Sequence, residues 1–451
     1  MPPYVDVTSS LDTKIWGIAW PAIVANLSIP LLGLVDAALL GHLDSPLYLG
    51  AVAVGGAVLS FLYWGFSFLR MGTTGEVARA AGAGDEARAL LALLRAAVLA
   101  LLIAALLWLL HAPLIDLGLA VMNPAADIGA LAREYGLIRL LSAPAVLLTY
   151  TVVGWFIGHQ DTRWPMRIVI ITNVANIALD WIFIVELGWA ARGAAAATVI
   201  AEYLGLAVAL LALRARVAHT GIVLPWRKLR ATAPYLALLR SNLHLFLRTL
   251  ALLWAFAYFT AQGESLGPAV VAANAVMMQF LMLAAFALDG FAYAAEGMSG
   301  EALGARDRRR FYAVVLRCSL WSAVAAVSIS AAIFLGRPWL FPLLSDIDAV
   351  RHIMNAQGFW LVLLPLAAAP SYLLDGVFIG AGATREMMLS MLFSALAIYL
   401  PTWQLTQPWG NDGLWFAFTL FNVARGITLG TAYWWFTARD RWVSLAADRG
   451  A

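Results

Sequence analysis

Charged side chains are scarce in this chain of 451 residues: only 12% are Asp, Glu, Lys or Arg, where soluble proteins average about 25%. Apolar residues make up 63% of the chain, against about 45–50% in soluble proteins. A water-soluble fold could not hide so much apolar surface, because globular proteins keep a polar shell. The composition therefore excludes a soluble enzyme, a disordered chain and a nucleic-acid-binding module, and it leaves a polytopic membrane protein.

Other absences narrow the function further. Cys318 is the single cysteine, so the chain forms no intrachain disulfide. The alternating pattern of a membrane β-barrel is absent, which favours helices. The apolar runs hold no paired metal-binding histidines and no Ser/His dyad. We therefore expect no enzymatic activity and no cofactor beyond a coupling ion.

Long apolar runs are what the sequence has in abundance. A bilayer core of about 30 Å needs about 20 apolar residues in helix, and twelve runs between polar breaks meet that length. The predicted spans are 15–40, 48–71, 90–112, 135–158, 164–185, 193–213, 241–261, 269–292, 311–335, 355–380, 387–406 and 413–437.

Basic residues predict the orientation of these spans. Most Lys and Arg lie in the connections on the side that holds both termini, above all in 214–240 and 306–310. Basic loops stay in the cytoplasm, so both termini are predicted to be cytoplasmic. The pI near 9.0 then reflects topology, with contact to anionic membrane lipid as a side role.

The chain repeats itself with an offset of 222 residues. Residues 152–166 align without gaps on 374–388, with Gly154 on Gly376, and the same offset aligns 75–88 on 297–310. Two windows that share one offset indicate an internal duplication that covers nearly the whole chain.

The duplication predicts the architecture. Each half has six spans, an even number, so both halves start on the same face and are related by a pseudo-twofold axis along the membrane normal. We predict an all-α membrane protein with a six-helix lobe in 1–213, a cytoplasmic linker in 214–240 and a second six-helix lobe in 241–451. Such parallel repeats are typical of transporters that alternate access between the halves.

Ionisable groups inside the spans need a reason, because the bilayer penalises them. The acids are Asp36, Asp180, Glu202, Asp289 and Asp375, and the bases are Arg95, Arg139, Arg248, Arg317 and Arg425. Arg95 and Arg317 lie near cytoplasmic ends and can reach the interface. In the second half, ion pairs would explain two acids and two bases, whereas the first half keeps three acids against one base.

The surplus acids of the first half predict a cation site. Asn176 and Asp180 share a face of the fifth predicted span (164–185), and Asn173 lies one turn earlier. In the sixth predicted span (193–213), Thr198 precedes Glu202 by four residues and so shares a face with it. Asp36 lies near the same outer depth on helix one. At the offset of 222, their repeat equivalents are Ile398 for Asn176, Thr402 for Asp180 and Tyr258 for Asp36. With the small loop gap that aligns Gly193 on Gly413, the equivalent of Thr198 is Phe418.

Two chemistries suit Asp36, Asn176, Asp180 and Thr198. Burial disfavours two adjacent charged carboxylates, so one of them can hold a proton near neutral pH, and sodium could use the same oxygens as ligands. A hydrogen-bonded cluster that only joins helices is the structural alternative. For Glu202, an ion pair with Arg139 is the alternative to a functional role.

Helix one carries two prolines, Pro21 and Pro30. A proline inside a helix removes a backbone hydrogen bond and produces a kink. The helix that carries Asp36 is therefore a candidate moving part, although a static kink would leave the same pattern.

At these residues the sequence resembles a known family. The stretches PLLGLVDAALLGHLDSPLYLGAVAVG (30–55) and FLRMGTTGEVARAAGAGD (68–85) resemble the multidrug and toxic compound extrusion family, in the branch named after bacterial DNA-damage-inducible protein F. The stretches ALDGFAYAAEGMSGEALGARD (287–307) and LLDGVFIGAGATR (373–385) resemble the second-half motifs of that branch.

The resemblance implies a bacterial inner-membrane antiporter that exports organic, often cationic or amphipathic, compounds against a proton or sodium gradient. It implies that Asp36 is the coupling aspartate, that Asn176, Asp180 and Thr198 are its partners, and that helix one bends at Pro21. It carries over less directly to Glu202, Asp289, Asp375, Arg248 and Arg425.

We expect protons as the coupling ion, with sodium as the other possibility, small organic molecules as substrates, a monomer and no nucleic-acid partner. Two rival functions stay open: a flippase for lipids or lipid-linked oligosaccharides, and a non-transporting membrane receptor. The flippase would require a strongly basic cavity.

Overall fold

The computed structural model describes residues 7–43, 45–218, 226–229 and 231–443, which are helical almost throughout. The first half contains α1 (Val7–Gly41), α2 (Pro46–Gly65), α3 (Phe68–Gly82), α4 (Glu86–Leu109), α5 (His111–Met122), α6 (Ala126–Arg139), α7 (Ala143–Gly158), α8 (Arg163–Asp180) and α9 (Ala190–Ala218). The second half contains α10 (Trp226–Leu229), α11 (Ala233–Ser265), α12 (Pro268–Gly304), α13 (Arg308–Leu344), α14 (Asp348–Ala381), α15 (Thr384–Phe393), α16 (Leu400–Thr406) and α17 (Asn411–Ala438).

Short irregular helical turns join some of these helices. Leu140–Ser142 and Gln407–Trp409 are 3₁₀ turns, and Trp181–Glu186 and Ser394–Tyr399 are π-helical. The two π-helical turns continue α8 and join α15 to α16, so that each of these helices reaches the length of a bilayer.

The predicted all-α membrane class is confirmed. Within the described ranges, eleven helical segments are long and apolar enough to cross a membrane, and no strand occurs there. The twelfth predicted span corresponds to α17, which has 28 residues but carries Asn422 and Arg425 midway, and these lower its hydropathy. Many helices exceed their predicted spans, because α-helical hydrogen bonding continues beyond the apolar run that marks the bilayer core.

The helices gather into two compact units. The unit called here the N-unit comprises Val24–Val77 and Asp85–Leu238, and the C-unit comprises the described residues of 1–23, 78–84 and 239–451. The predicted linker 214–240 is partly helical, because α9 continues to Ala218 and α11 begins at Ala233. Residues 219–225 and 230 of that linker lie outside the described residues. The lobe boundaries at 213 and 241 stay a prediction.

The repeat is visible in the closest helix contacts. A Cβ added at Gly154 would lie 2.6 Å from the carbonyl oxygen of Arg70, and one added at Gly376 would lie 2.3 Å from that of Ala292. Both the glycines and the residues they touch are 222 apart. Glycine at these positions therefore permits the same tight helix packing in both halves.

A reciprocal contact within the C-unit reveals the pseudo-twofold relation. A Cβ at Gly82 would lie 2.0 Å from the carbonyl oxygen of Glu301, and one at Gly304 would lie 2.1 Å from that of Arg79. Gly82 is equivalent to Gly304, and Arg79 is equivalent to Glu301. Exchanged contacts of this kind are what a twofold axis generates, and they agree with the predicted symmetry.

Candidate cation site

Helix α1 brings Asp36 into the N-unit and is helical without interruption through Pro21 and Pro30. Its residues up to Ile23 belong to the C-unit, and those from Val24 onward belong to the N-unit. Pro21 lies two residues before this change and cannot donate a backbone hydrogen bond to Gly17. The local weakness in the helix thus lies where α1 passes from one unit to the other.

The first part of α1 is bound firmly within the C-unit. Asp12 forms an ion pair with Arg317 and accepts a hydrogen bond from Trp321 Nε1 at 3.0 Å. The ring of Trp16 packs edge-on against that of Phe291, with centroids 5.2 Å apart. Arg317 is therefore paired with the carboxylate of Asp12, whereas the sequence indicated only that its side chain reaches the membrane interface.

Helix α8 presents its polar face to α1. Asn176 and Asp180 are fully buried, with 0% of each side chain exposed. Asn173 Nδ2 donates hydrogen bonds to the backbone oxygen and the Oγ of Ser28, both at 3.2 Å. Asn173 thereby fastens α8 to α1, which is a structural role. The chain turns π-helical at Trp181, directly after Asp180, and such turns occur often at functional sites.

The four residues predicted to form the site lie together. Asn176 Nδ2 donates to Thr198 Oγ1 at 3.4 Å, and Thr198 Oγ1 donates to the carbonyl oxygen of Ala194 at 2.8 Å. The carboxyl groups of Asp36 and Asp180 are within hydrogen-bonding reach of each other. Helices α1, α8 and α9 thus deliver the predicted oxygens to one place.

The site has more acceptors than donors. Four buried oxygens have no hydrogen-bond donor among the described residues: Asp36 Oδ1, both carboxylate oxygens of Asp180 and Asn176 Oδ1. A buried acceptor without a donor loses the hydrogen bonds that water would supply. A proton shared by the two carboxyls, or a small cation held between the oxygens, would satisfy them.

Glu202 lies beside this cluster in an ion pair. Arg139 Nη1 lies 2.8 Å from Glu202 Oε2, with the side chains 11% and 19% exposed. The same Nη1 atom donates to Ser142 Oγ at 3.2 Å. The pairing considered as the alternative for Glu202 is therefore present, and Arg139 also acts electrostatically on Asp36 and Asp180.

The polar candidates of the C-unit form a separate, compensated cluster. Asp375 forms ion pairs with both Arg248 and Arg425, and the Arg425 contact measures 2.9 Å. Arg425 also donates to Asn422 Oδ1 at 3.1 Å. Asp289 acts electrostatically on Tyr372. Both arginines therefore contact one aspartate, Asp375.

Several polar neighbours escaped the sequence-based predictions. Tyr135 interacts electrostatically with Arg139 and Asp36, Tyr63 OH lies 3.5 Å from Ser142 Oγ, and Ser28 is the acceptor for Asn173. The sequence-based selection started from ionisable groups inside apolar runs, and these tyrosine and serine side chains are uncharged. Position would have suggested Tyr135, which stands one helical turn before Arg139.

A cavity of about 590 Å³ opens in the N-unit. Its lining includes Tyr48, Glu134, Tyr135, Ile138, Trp189 and Arg192. Glu134 and Arg192 form an exposed ion pair at 2.6 Å. Tyr135 therefore both lines the cavity and interacts electrostatically with Asp36.

Comparison with known proteins identifies the family. The MatE family model matches residues 21–182 and 245–403. The chain is 40% identical over 438 residues to DNA damage-inducible protein F of Escherichia coli, covering 95% of each chain. It is 27% identical over 442 residues to the chloroplastic Protein DETOXIFICATION 44 of Arabidopsis thaliana, covering 93% of this chain and 82% of the relative.

A solved structure agrees with the fold described above. The Vibrio cholerae MATE transporter VcmN, in its bent form, superposes with a TM-score of 0.83 at 24% identity and covers 98% of both chains. The family match covers both halves of the repeat, as the duplication requires. The chain therefore belongs to the multidrug and toxic compound extrusion family, in the branch of DNA damage-inducible protein F, and is a multi-pass membrane transporter.

Proposed function

We propose that this transporter is an antiporter that exports organic, often cationic or amphipathic, compounds in exchange for a cation, with protons preferred to sodium. The observation that carries the proposal is the pairing of Asp36 with Asp180, whose buried oxygens lack donors among the described residues. Family membership supports the transport of toxic compounds. The carboxylate pair supports the coupling of this transport to a cation gradient.

The proposed cycle begins when a proton from outside binds between Asp36 and Asp180. Neutralising one carboxylate removes the repulsion between them and lets α1 approach α8 more closely. We infer that α1 then bends at Pro21, where it lacks a backbone hydrogen bond, and that the substrate leaves outward. Release of the proton inward returns the transporter to its starting state.

The cavity in the N-unit supports an approach route for the cation. With both termini cytoplasmic and the protein in a bacterial inner membrane, as we propose, the end of the N-unit that holds Tyr48 and Trp189 faces outside. The cavity of about 590 Å³ would then admit water and cations from that face as far as Tyr135.

The rival functions receive less support. A flippase for anionic lipid carriers would need free basic groups at depth, yet Arg139, Arg248 and Arg425 each form an ion pair with a carboxylate. A non-transporting receptor does not fit a family of transporters.

The decisive experiment replaces Asp36 with Asn. Purified protein in proteoliposomes should transport the planar organic cation ethidium when a proton gradient is imposed, and Asp36→Asn should reduce this transport to the background of empty vesicles. Undiminished transport by Asp36→Asn would contradict the proposed coupling site. Adding sodium at fixed pH separates the two ions, because a sodium antiporter would stall without it.

The matched control is Asp116→Asn. Asp116 lies on α5 and forms an exposed ion pair with Arg133 at 2.6 Å. Hydrogen bonds from Arg133 lower the pKa of the Asp116 carboxyl, so the control also removes a charged carboxylate. Because exposed ion pairs contribute little, transport by Asp116→Asn should equal that of the unmodified protein.

A further inference from the structure

Arg139 carries a permanent positive charge that acts on both carboxylates of the proposed cation site. A guanidinium stays protonated at any physiological pH. At short range in a protein interior, such a charge stabilises the negative charge of nearby carboxylates, as a bound cation would. An uncompensated Arg139 would therefore compete with the coupling ion for Asp36 and Asp180.

Glu202 weakens this competition in the structure. Its Oε2 lies 2.8 Å from Arg139 Nη1, so its negative charge offsets part of the Arg139 charge that acts on Asp36 and Asp180. The charges that remain at the site are those of Asp36 and Asp180, the two carboxylates whose buried oxygens have no donor in the described part of the chain.

Several contacts hold Arg139 in this arrangement. The 3₁₀ turn Leu140–Ser142 follows it directly, and Ser142 Oγ donates to the carbonyl oxygen of Arg139 at 2.7 Å. Two side chains from other helices hold the turn: Trp108 Nε1 donates to the carbonyl oxygen of Leu140, and Tyr203 OH donates to that of Leu141, each at 3.0 Å. The backbone at Arg139 is thus fixed from α4 and α9 together.

We infer that Glu202 is a positioning residue for cation coupling, which holds the Arg139 guanidinium in an ion pair and so keeps Asp36 and Asp180 available to the coupling cation. This inference rests on the proposed function. It gives Glu202 a role that acts through Arg139 and does not require contact with the cation.

Several titratable groups interact with Arg139 or with Glu202. The acids are Asp36 on α1, Asp180 on α8 and Glu202 on α9, and the hydroxyl groups are those of Tyr63 on α2, Tyr135 on α6 and Tyr203 on α9. A substitution of Glu202 therefore changes the balance between one fixed positive charge and two remaining carboxylates.

The test is the dependence of ethidium transport on proton concentration, measured in proteoliposomes with Glu202→Gln. The freed guanidinium should compete with protons at the carboxylate pair. Half-maximal transport should therefore move about one pH unit toward acid, a tenfold higher proton concentration, since an opposite charge within a few Å has an effect of this order. If sodium drives transport, the half-saturating sodium concentration should rise about tenfold instead.

The double variant Arg139→Gln/Glu202→Gln distinguishes positioning from folding. It removes both charges and leaves neutral amides in their places, so its profile should return to that of the unmodified protein. A Glu202→Gln profile that does not shift, or a loss at every pH that the double variant fails to rescue, would overturn the inference. Asp116→Asn, which breaks an exposed pair on α5 and α6, should leave the profile unchanged.

The outcomes for Glu202 and for the proposed function are separable. If Asp36→Asn transports normally, the coupling site itself is wrong. If Asp36→Asn is inactive while Glu202→Gln keeps the original profile, only the positioning role is wrong.

Discussion

Asp36 in the N-unit and Tyr258 in the C-unit stand at equivalent positions of the repeat, yet their surroundings differ in kind. Asp36 meets Asp180 beside Asn176 and Thr198. Tyr258 stacks on Trp254, with ring centroids 5.0 Å apart, and meets Tyr399 edge-on at 5.6 Å. Equivalent helices therefore meet in both units, with carboxylates at the contact in one and aromatic rings in the other.

Thr198 and its equivalent Phe418 extend the comparison. Phe418 contacts Tyr399, with centroids 6.0 Å apart, and also packs against Phe259 at 5.1 Å. The scaffold thus accepts an apolar core at the place where the N-unit has buried acids. Since the fold does not require the polar cluster, its presence in one unit favours a function for it.

The buried charges of the two units are also balanced differently. In the C-unit, Asp375 has two arginine partners. In the N-unit, Arg139 forms its ion pair with Glu202, and among the described residues neither Asp36 nor Asp180 has a hydrogen-bond donor or an ion-pair partner for its buried oxygens. Removing an acid should therefore have opposite consequences in the two units.

The largest expected effect is the loss of transport in Asp180→Asn. The substitution keeps the shape of the side chain but removes one of the two charges that we propose to bind the cation, so ethidium transport should fall to the background of empty vesicles. Folding should not suffer, because the new amide can donate a hydrogen bond where the buried carboxylate had no donor among the described residues. The midpoint of thermal unfolding in detergent should be equal to or higher than that of the unmodified protein. Normal ethidium transport, or a much lower unfolding midpoint, would contradict the proposed difference between the two units.

The second effect is the destabilisation of the C-unit in Asp375→Asn. Arg248 and Arg425 are 8% and 1% exposed, and the substitution removes the carboxylate that both of them contact. Breaking a buried ion pair by removing one member costs about 3–5 kcal/mol. Thermal unfolding should therefore begin at clearly lower temperature, in contrast to Asp180→Asn.

The control for this experiment is Asp440→Asn. Asp440 pairs with Arg308 on the surface, where the two side chains are 55% and 49% exposed. Exposed pairs are worth at most about 1 kcal/mol, so the unfolding midpoint should hardly change. If Asp375→Asn behaved like this control, the charge cluster of the C-unit would not be a stabilising element.

The sequence predicted the helices well because the bilayer imposes a minimum apolar length. It located the eleven segments of the described ranges that are long and apolar enough to cross a membrane, and also α17, which carries Arg425 in its middle. It placed their ends too early, as at α12, where the predicted span stops at 292 and the helix continues to Gly304. A hydropathy pattern detects the apolar core of the membrane, whereas the helix continues through polar residues.

The candidate site was partly predictable. The four-residue spacing of Asn176 and Asp180 put them on one face, and equal depth suggested that Asp36 and Thr198 would join them. The sharing of Asp375 by Arg248 and Arg425 was not predictable, because the choice of partner depends on how each helix is rotated about its axis. Periodicity within one helix carries no information on that rotation.

The smallest effect is expected for Tyr258→Phe, the counterpart of Asp36→Asn at the equivalent position. Each substitution changes one polar group and keeps the side-chain framework, so the two variants alter the repeat by a similar amount. The phenyl ring of the variant would retain the stacking on Trp254 and the contact with Tyr399. Substitutions that leave the packing intact usually change the free energy of unfolding by no more than about 0.5 kcal/mol. Ethidium transport and the unfolding midpoint should match those of the unmodified protein, measured beside Asp36→Asn in the same vesicles. If Tyr258→Phe also abolished transport, the C-unit would take part in coupling at this position. The proposal that only the N-unit carboxylates couple the cation to transport would then be wrong.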